Sequence, residues 1–152
     1  MASDKQSYGV LMAVYNAATI TALAVAARRR KLPERPPLLD VALVALATQR
    51  LSRLVSKDRV TSAVRSPFTE PKGDGGPGEV EESPKGSGLR RTIGELILCP
   101  FCIAQWIATA LMCSLLFVPQ VTRWITATFS AIALADYLQL FYKASERTAG
   151  VA

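Results

Sequence analysis

Polar and apolar positions along this chain fall in long blocks rather than alternating at the period of a helix face or a strand. The two longest stretches without a charge run from Gln6 to Ala27, 22 residues, and from Leu96 to Thr122, 27 residues. A soluble helix keeps a polar face, and these blocks have almost none. Apolar runs of about 18 or more residues predict membrane spans. The first is Tyr8–Ala27, whose 20 residues cover about 30 Å at ~1.5 Å per residue, one hydrocarbon thickness. It stops at Arg28-Arg29-Arg30-Lys31. Ala24-Val25-Ala26 resembles a signal cleavage box, but the length of the run and the tetrabasic cluster after it oppose cleavage. Ala18, Ala22 and Ala26 recur every four residues and predict a small-residue packing face.

The second segment, Leu38–Val55, is apolar as far as Thr48, with Asp40 near its start and Gln49, Arg50 and Arg53 at its end. It predicts either a crossing or a re-entrant helix. Leu96–Val118 and Val121–Tyr142 are the third and fourth segments. Only Pro119-Gln120 separates them, which predicts a tight antiparallel hairpin. Ala127, Ala131 and Ala135 predict a second packing stripe. The expected fold is an all-α integral membrane helical bundle with three or four spans, including that C-terminal hairpin. It divides into an N-terminal span and basic loop (1–37), a second apolar helix with a basic end (38–68), a flexible loop (69–90), and the transmembrane hairpin with a short tail (91–152).

Composition sharpens this outline. Residues Thr69–Gly88 hold six of the nine glycines, three prolines and five acids, a mixture too poor in apolar surface to offset its ordering entropy. The net charge is +6, and nine lysines and arginines lie between Arg50 and Arg91, with Lys143 and Arg147 in the tail. The excess of cations on cytoplasmic loops predicts that residues 50–99 and the C-terminus face the cytoplasm of a multi-pass cell-membrane protein. The loop Arg28–Pro37 carries five more cations and falls outside if the second segment crosses. Histidine is absent, which removes Ser-His-Asp and Cys-His catalysis and histidine-containing metal sites.

Three constellations carry candidate chemistry. Cys99-Pro100-Phe101-Cys102 places a Cys-Pro-x-Cys motif at a helix start, where proline suits the first turn and the helix dipole favours a thiolate. Three readings stay open: plain packing, a thiol-disulfide redox pair, and half of a zinc site. Cys113 lies about 16 Å further along the helix, so zinc would need cysteine pairs from two chains, and no other cofactor is expected. Arg50, Arg53 and Lys57 share one helical face at i, i+3 and i+7. With Arg59 they are expected to meet anionic lipid head groups or an acidic partner. No glycine-rich phosphate loop accompanies them, and nucleic-acid binding is not expected of a basic face held against a membrane. Asp136, a carboxylate within a span, calls for a partner. Depth along the helices puts Arg50, Gln105 and Asp136 within ~9–13 Å of the same surface, which predicts a polar cluster joining helices.

The order of elements resembles a known family. An apolar helix ends in Arg50-Leu51-Ser52-Arg53-Leu54. Lys57-Asp58-Arg59-Val60 and Arg65-Ser66-Pro67-Phe68 follow. After a glycine-rich stretch, Leu98-Cys99-Pro100-Phe101-Cys102 and Trp106 head a membrane hairpin. Over about Leu38–Tyr142 the chain is similar to the domain-of-unknown-function 1360 family of small bacterial integral membrane proteins. It departs from the family pattern at Ala104 and Gln105, where a glycine and an aromatic are usual. The resemblance implies a membrane location and a bacterial type of protein, and supplies no substrate. The expected function is a non-enzymatic assembly or interaction component, as a homo-oligomer or in a larger membrane complex. The alternatives are a redox or zinc-clasped protein using Cys99 and Cys102, and a small transporter or channel subunit using Asp136.

Overall fold

A computed structural model describes residues 2–76 and 78–150. In chain order the elements are α1 (Ala2–Arg28), α2 (Leu38–Ser56), a 3-10 turn (Arg59–Thr61), α3 (Ser62–Arg65), β1 (Thr69–Asp74), β2 (Val80–Pro84), α4 (Gly88–Leu98), α5 (Pro100–Phe117) and α6 (Pro119–Thr148). The described residues are all-α apart from one small hairpin. Among the described residues, three helices are long and apolar enough to cross a membrane: α1 over Lys5–Arg28, α5 and α6.

Local chemistry sets the boundaries. α1 ends where the uncharged run ends. Arg30 takes a left-handed conformation (φ 52°), the Arg30 amide bonds Ala27 O at 3.0 Å and the Lys31 amide bonds Ala26 O at 2.9 Å. This double closure satisfies the last carbonyls of the helix. α2 starts after Pro36-Pro37, with the Val41 amide bonding Pro37 O at 3.1 Å. Val118 adopts a non-helical conformation between α5 and α6, and Pro119 opens α6, so the expected hairpin forms.

Three pairs fix the relation of α2 to α6. Arg123 meets Asp40 at 2.8 Å, Ser130 Oγ donates to Leu43 O at 2.8 Å, and Arg50 Nε meets Asp136 at 3.3 Å. The two helices therefore run parallel. α1 and α5 also run parallel to each other: Tyr15 meets Thr109, and Lys31 sits 5.8 Å from the Phe117 ring centre. Both pairs run antiparallel to one another. The Arg28–Pro37 loop and the Val118 turn thus lie at one end of the bundle. The N-terminal end of α1, residues 57–99 and the end of α6 lie at the other. α2 is one unbroken helix of 19 residues, ~28 Å long.

The interior is small and polar rather than greasy. Ala26, Val44, Ala47 and Ala133 are buried, together with Thr48, Ser52, Thr122, Thr126 and Ser130. Small side chains let helices approach closely where lipid offers no hydrophobic drive. The stripe on α6 is Thr122, Thr126, Ser130 and Ala133; of the alanine stripe expected there, Ala127 is half-buried and only Ala131 and Ala135 are exposed. On α1, Ala26 is buried and Ala22 half-buried, and Ala18 is exposed in the same cleft between α1 and α5.

Two further expectations change. The stretch read as a flexible loop folds as an antiparallel β-hairpin, pairing Thr69 with Pro84 and Asp74 with Val80. The third apolar segment starts later, because Leu96–Leu98 close α4 and α5 begins at Pro100. Hairpin, α3 and α4 form a polar head on one end of the bundle. Gly94 of α4 makes that head compact: a Cβ there would lie 2.5 Å from Phe68 O and 3.1 Å from Pro84 Cβ.

Candidate functional site

The head is organised around Arg65 and Glu82, whose side chains are each only 2% exposed and meet at 2.7 Å. Arg65 Nη1 also donates to Val55 O at 2.8 Å, Asp58 O at 3.2 Å and Thr61 Oγ1 at 2.6 Å. Glu82 accepts from Ser62 Oγ and, at 2.9 Å, from Thr69 Oγ1. Burial pushes the Glu82 carboxyl up. The hydrogen bonds from Arg65, Ser62 and Thr69 more than offset this and hold it below the usual carboxylate range. Arg65 Nη2 is buried without a partner among the described residues. One carboxylate thus joins the end of α2, α3 and both strands through a single guanidinium.

The acids of the hairpin also take up the basic face of α2. Arg53 pairs with Glu79, and Arg59 with Asp74. Lys57 serves through its backbone, its carbonyl accepting from the Val80 amide at 3.0 Å. Arg50 Nη2 meets Asp58 at 2.9 Å, while its Nε reaches Asp136. Arg53 and Arg59, expected to reach lipid or a partner, have acids of their own chain beside them. A cavity of about 530 Å³ opens between α2, α6 and the hairpin, with Arg50, Asp136, Tyr137, Lys143 and Glu79 in its wall.

Of the expected polar cluster, Arg50 and Asp136 come together and Gln105 does not. Gln105 is exposed on α5, near the Tyr15 hydroxyl of α1, which meets Thr109 Oγ1 at 2.7 Å. Depth arithmetic gives height along a bundle but not the face on which a side chain projects. The Asp40–Arg123 pair went unread, although the same arithmetic applies: both charges lie in the opening turns of parallel helices. Arg65 stood out only within its Arg-Ser-Pro-Phe motif, and Glu82 carried no signal among five acids of the loop.

Cys99 and Cys102 sit at the corner where α4 gives way to α5, at disulfide distance, with Cα atoms 5.2 Å apart. Pro100 and Phe101 form the first turn of α5. Cys99 is its N-cap, and its sulfur accepts the Cys102 amide at 3.2 Å. Cys102 is exposed, Cys99 only partly so, and Phe101 is 90% exposed. Cys113 is a free thiol, partly buried, along α5. Among the described residues no group of three or more histidines, cysteines, aspartates or glutamates is placed to hold a metal ion.

A family model described as protein of unknown function (DUF1360) matches residues 43–142. Its span takes in most of α2, the whole head, the cysteine corner and most of the α5–α6 hairpin. Over 104 residues the chain is 33% identical to a protein of Bacillus subtilis (strain 168) named sporulation protein YjcA, covering 66% of this chain and 88% of that one. No solved structure matches.

Proposed function

The chain belongs to the DUF1360 family, and on that premise we propose that it is a membrane-embedded assembly component whose polar head faces the cytoplasm and docks other envelope proteins. The observation that carries this reading is the use made of its charges. Arg123–Asp40 and Arg50–Asp136 join α2 to α6, and Arg53–Glu79 and Arg65–Glu82 join the bundle end to the hairpin. Charged groups in apolar surroundings are costly unless paired, so Arg65–Glu82 and the buried Asp40 with Arg123 above all hold a rigid one-sided platform, to which the more exposed Arg50–Asp136 and Arg53–Glu79 pairs add. Twelve lysines and arginines belong to the head end and the two chain termini, against five in the Arg28–Pro37 loop, which supports a cytoplasmic head. Likeness to a sporulation protein supports a developmental setting, such as remodelling of the envelope.

In-cell photo-crosslinking tests this. A photo-reactive residue at Lys72, on the exposed face of the hairpin, is expected to give discrete protein adducts. The same residue at Val14, on the exposed face of α1, is expected to label mainly lipid. Lipid or solvent adducts alone at Lys72 would remove the docking role.

A further inference from the structure

Cys99 and Cys102 are not used by the assembly role, and their environments differ in a way that assigns each a task. We propose that the pair is a thiol-disulfide exchange site at the membrane surface, acting on a protein dithiol, in which Cys102 forms the mixed disulfide and Cys99 is the leaving and resolving thiolate. Access selects the sulfur that is attacked, and stability of the thiolate selects the one that leaves. Cys102 is the exposed cysteine, and Phe101 beside it stands 90% exposed, an apolar contact for an incoming protein. Cys99 is more sheltered and already accepts the Cys102 amide at the N-terminus of an 18-residue helix. That amide and the helix dipole stabilise negative charge on its sulfur. Cys102 also borders a small cavity of about 100 Å³ lined by Tyr8, Met12, Glu95, Leu96 and Trp106.

The exchange balances. A thiolate of the substrate attacks Cys102 Sγ, forming one S–S bond as the Cys99–Cys102 bond breaks, and the electron pair leaves on Cys99. The second substrate thiol, once deprotonated, attacks its own sulfur in the mixed disulfide and releases Cys102 as thiolate. The substrate dithiol is oxidised to a disulfide, the cysteine pair is reduced, and the two protons lost by the substrate are those that Cys99 and Cys102 take up. In the reverse direction Cys99 resolves the mixed disulfide. Disulfides in a cytosol are mostly transient and exchange-active, which suits a pair on the face assigned to the cytoplasm.

Full-length protein in lipid nanodiscs, with Cys113→Ser to remove the third thiol, provides the test. Equilibration in glutathione buffers of graded oxidised-to-reduced ratio, acid quench and intact mass give the redox state. The expected result is interconversion of dithiol and disulfide as one two-electron unit. Mixing the oxidised form with reduced glutathione and quenching early then locates the first adduct. Fragment spectra are expected to place glutathione on Cys102 about tenfold more often than on Cys99. Adducts mainly on Cys99 would overturn the assignment. So would a pair that stays in one state across all buffers, or stoichiometric zinc shared between two chains. The first measurement needs no substitution at either cysteine, so a misfolded variant cannot obscure it.

Discussion

Glu82→Gln tests how the head is held. Glu82 and Arg65 are each 2% exposed, and the carboxylate accepts from three side chains on α3 and the strands. The substitution keeps volume and shape but leaves the Arg65 charge buried without its counter-ion. Breaking a buried pair in this way costs about 3–5 kcal/mol. With its amide oxygen in the place of Oε2, Gln can still accept from both Arg65 and Thr69, so the lower end applies, roughly a hundredfold in the opening equilibrium. Hydrogen exchange of the strand amides between Thr69 and Pro84, measured in nanodiscs, reads that equilibrium directly. Protection is expected to fall about a hundredfold in the hairpin and little in α5. Replacing both partners, Arg65→Met with Glu82→Leu, is expected to recover part of the loss, because no uncompensated charge remains. If Glu82→Gln changes hairpin protection less than about fivefold, the buried pair is not what anchors the head.

Other perturbations follow from the same geometry. The Glu82 carboxyl titrates below its ordinary value in the folded head, so its contribution is fully present above the ordinary glutamate pKa of about 4.3. It is lost as pH falls through the lower folded value, and hairpin protection, corrected for intrinsic exchange, is expected to be flat from about pH 7 to 5 and to drop below about 4. Gly94→Ala places a Cβ 2.5 Å from Phe68 O and is expected to cost about 1–3 kcal/mol by forcing α4 off the hairpin, seen as new proteolytic cleavage near Pro84. Arg123→Leu leaves Asp40, 8% exposed, without its partner, whereas Asp136→Leu removes a half-exposed acid and leaves Arg50 still paired to Asp58. Thermal denaturation in detergent is expected to show the larger loss for Arg123→Leu, with Asp136→Leu within about 1 kcal/mol of the parent.

The blocks of apolar residues made the α5–α6 hairpin readable, because Pro119 interrupts a chain that otherwise offers no charge between Leu96 and Thr122. Arg50 and Asp136 were readable for a different reason: two opposite charges at equal depth in adjacent helices have few other partners. What stayed hidden depends on direction around a helix axis. Gln105 has the right height and the wrong azimuth, and the same holds for Ala131 and Ala135, which flank the buried Thr126–Ser130–Ala133 line. The hairpin was hidden because an argument from apolar burial counts only one source of order. Residues 69–84 bury little hydrocarbon, but Glu82, Glu79 and Asp74 are drawn to Arg65, Arg53 and Arg59. Composition reported those acids and those arginines as separate features, and the fold makes them one.

The most direct check of the architecture is the side of the membrane reached by each end of the bundle. Arg35→Cys and Ser66→Cys, each in a chain with Cys99, Cys102 and Cys113 replaced by serine, place a probe in the first loop and in the head. Both positions are exposed. A membrane-impermeant maleimide added to intact cells is expected to label the Arg35→Cys protein and to label the Ser66→Cys protein only after lysis. Labelling of both from the same side would contradict a bundle in which α2 returns through the membrane beside α6.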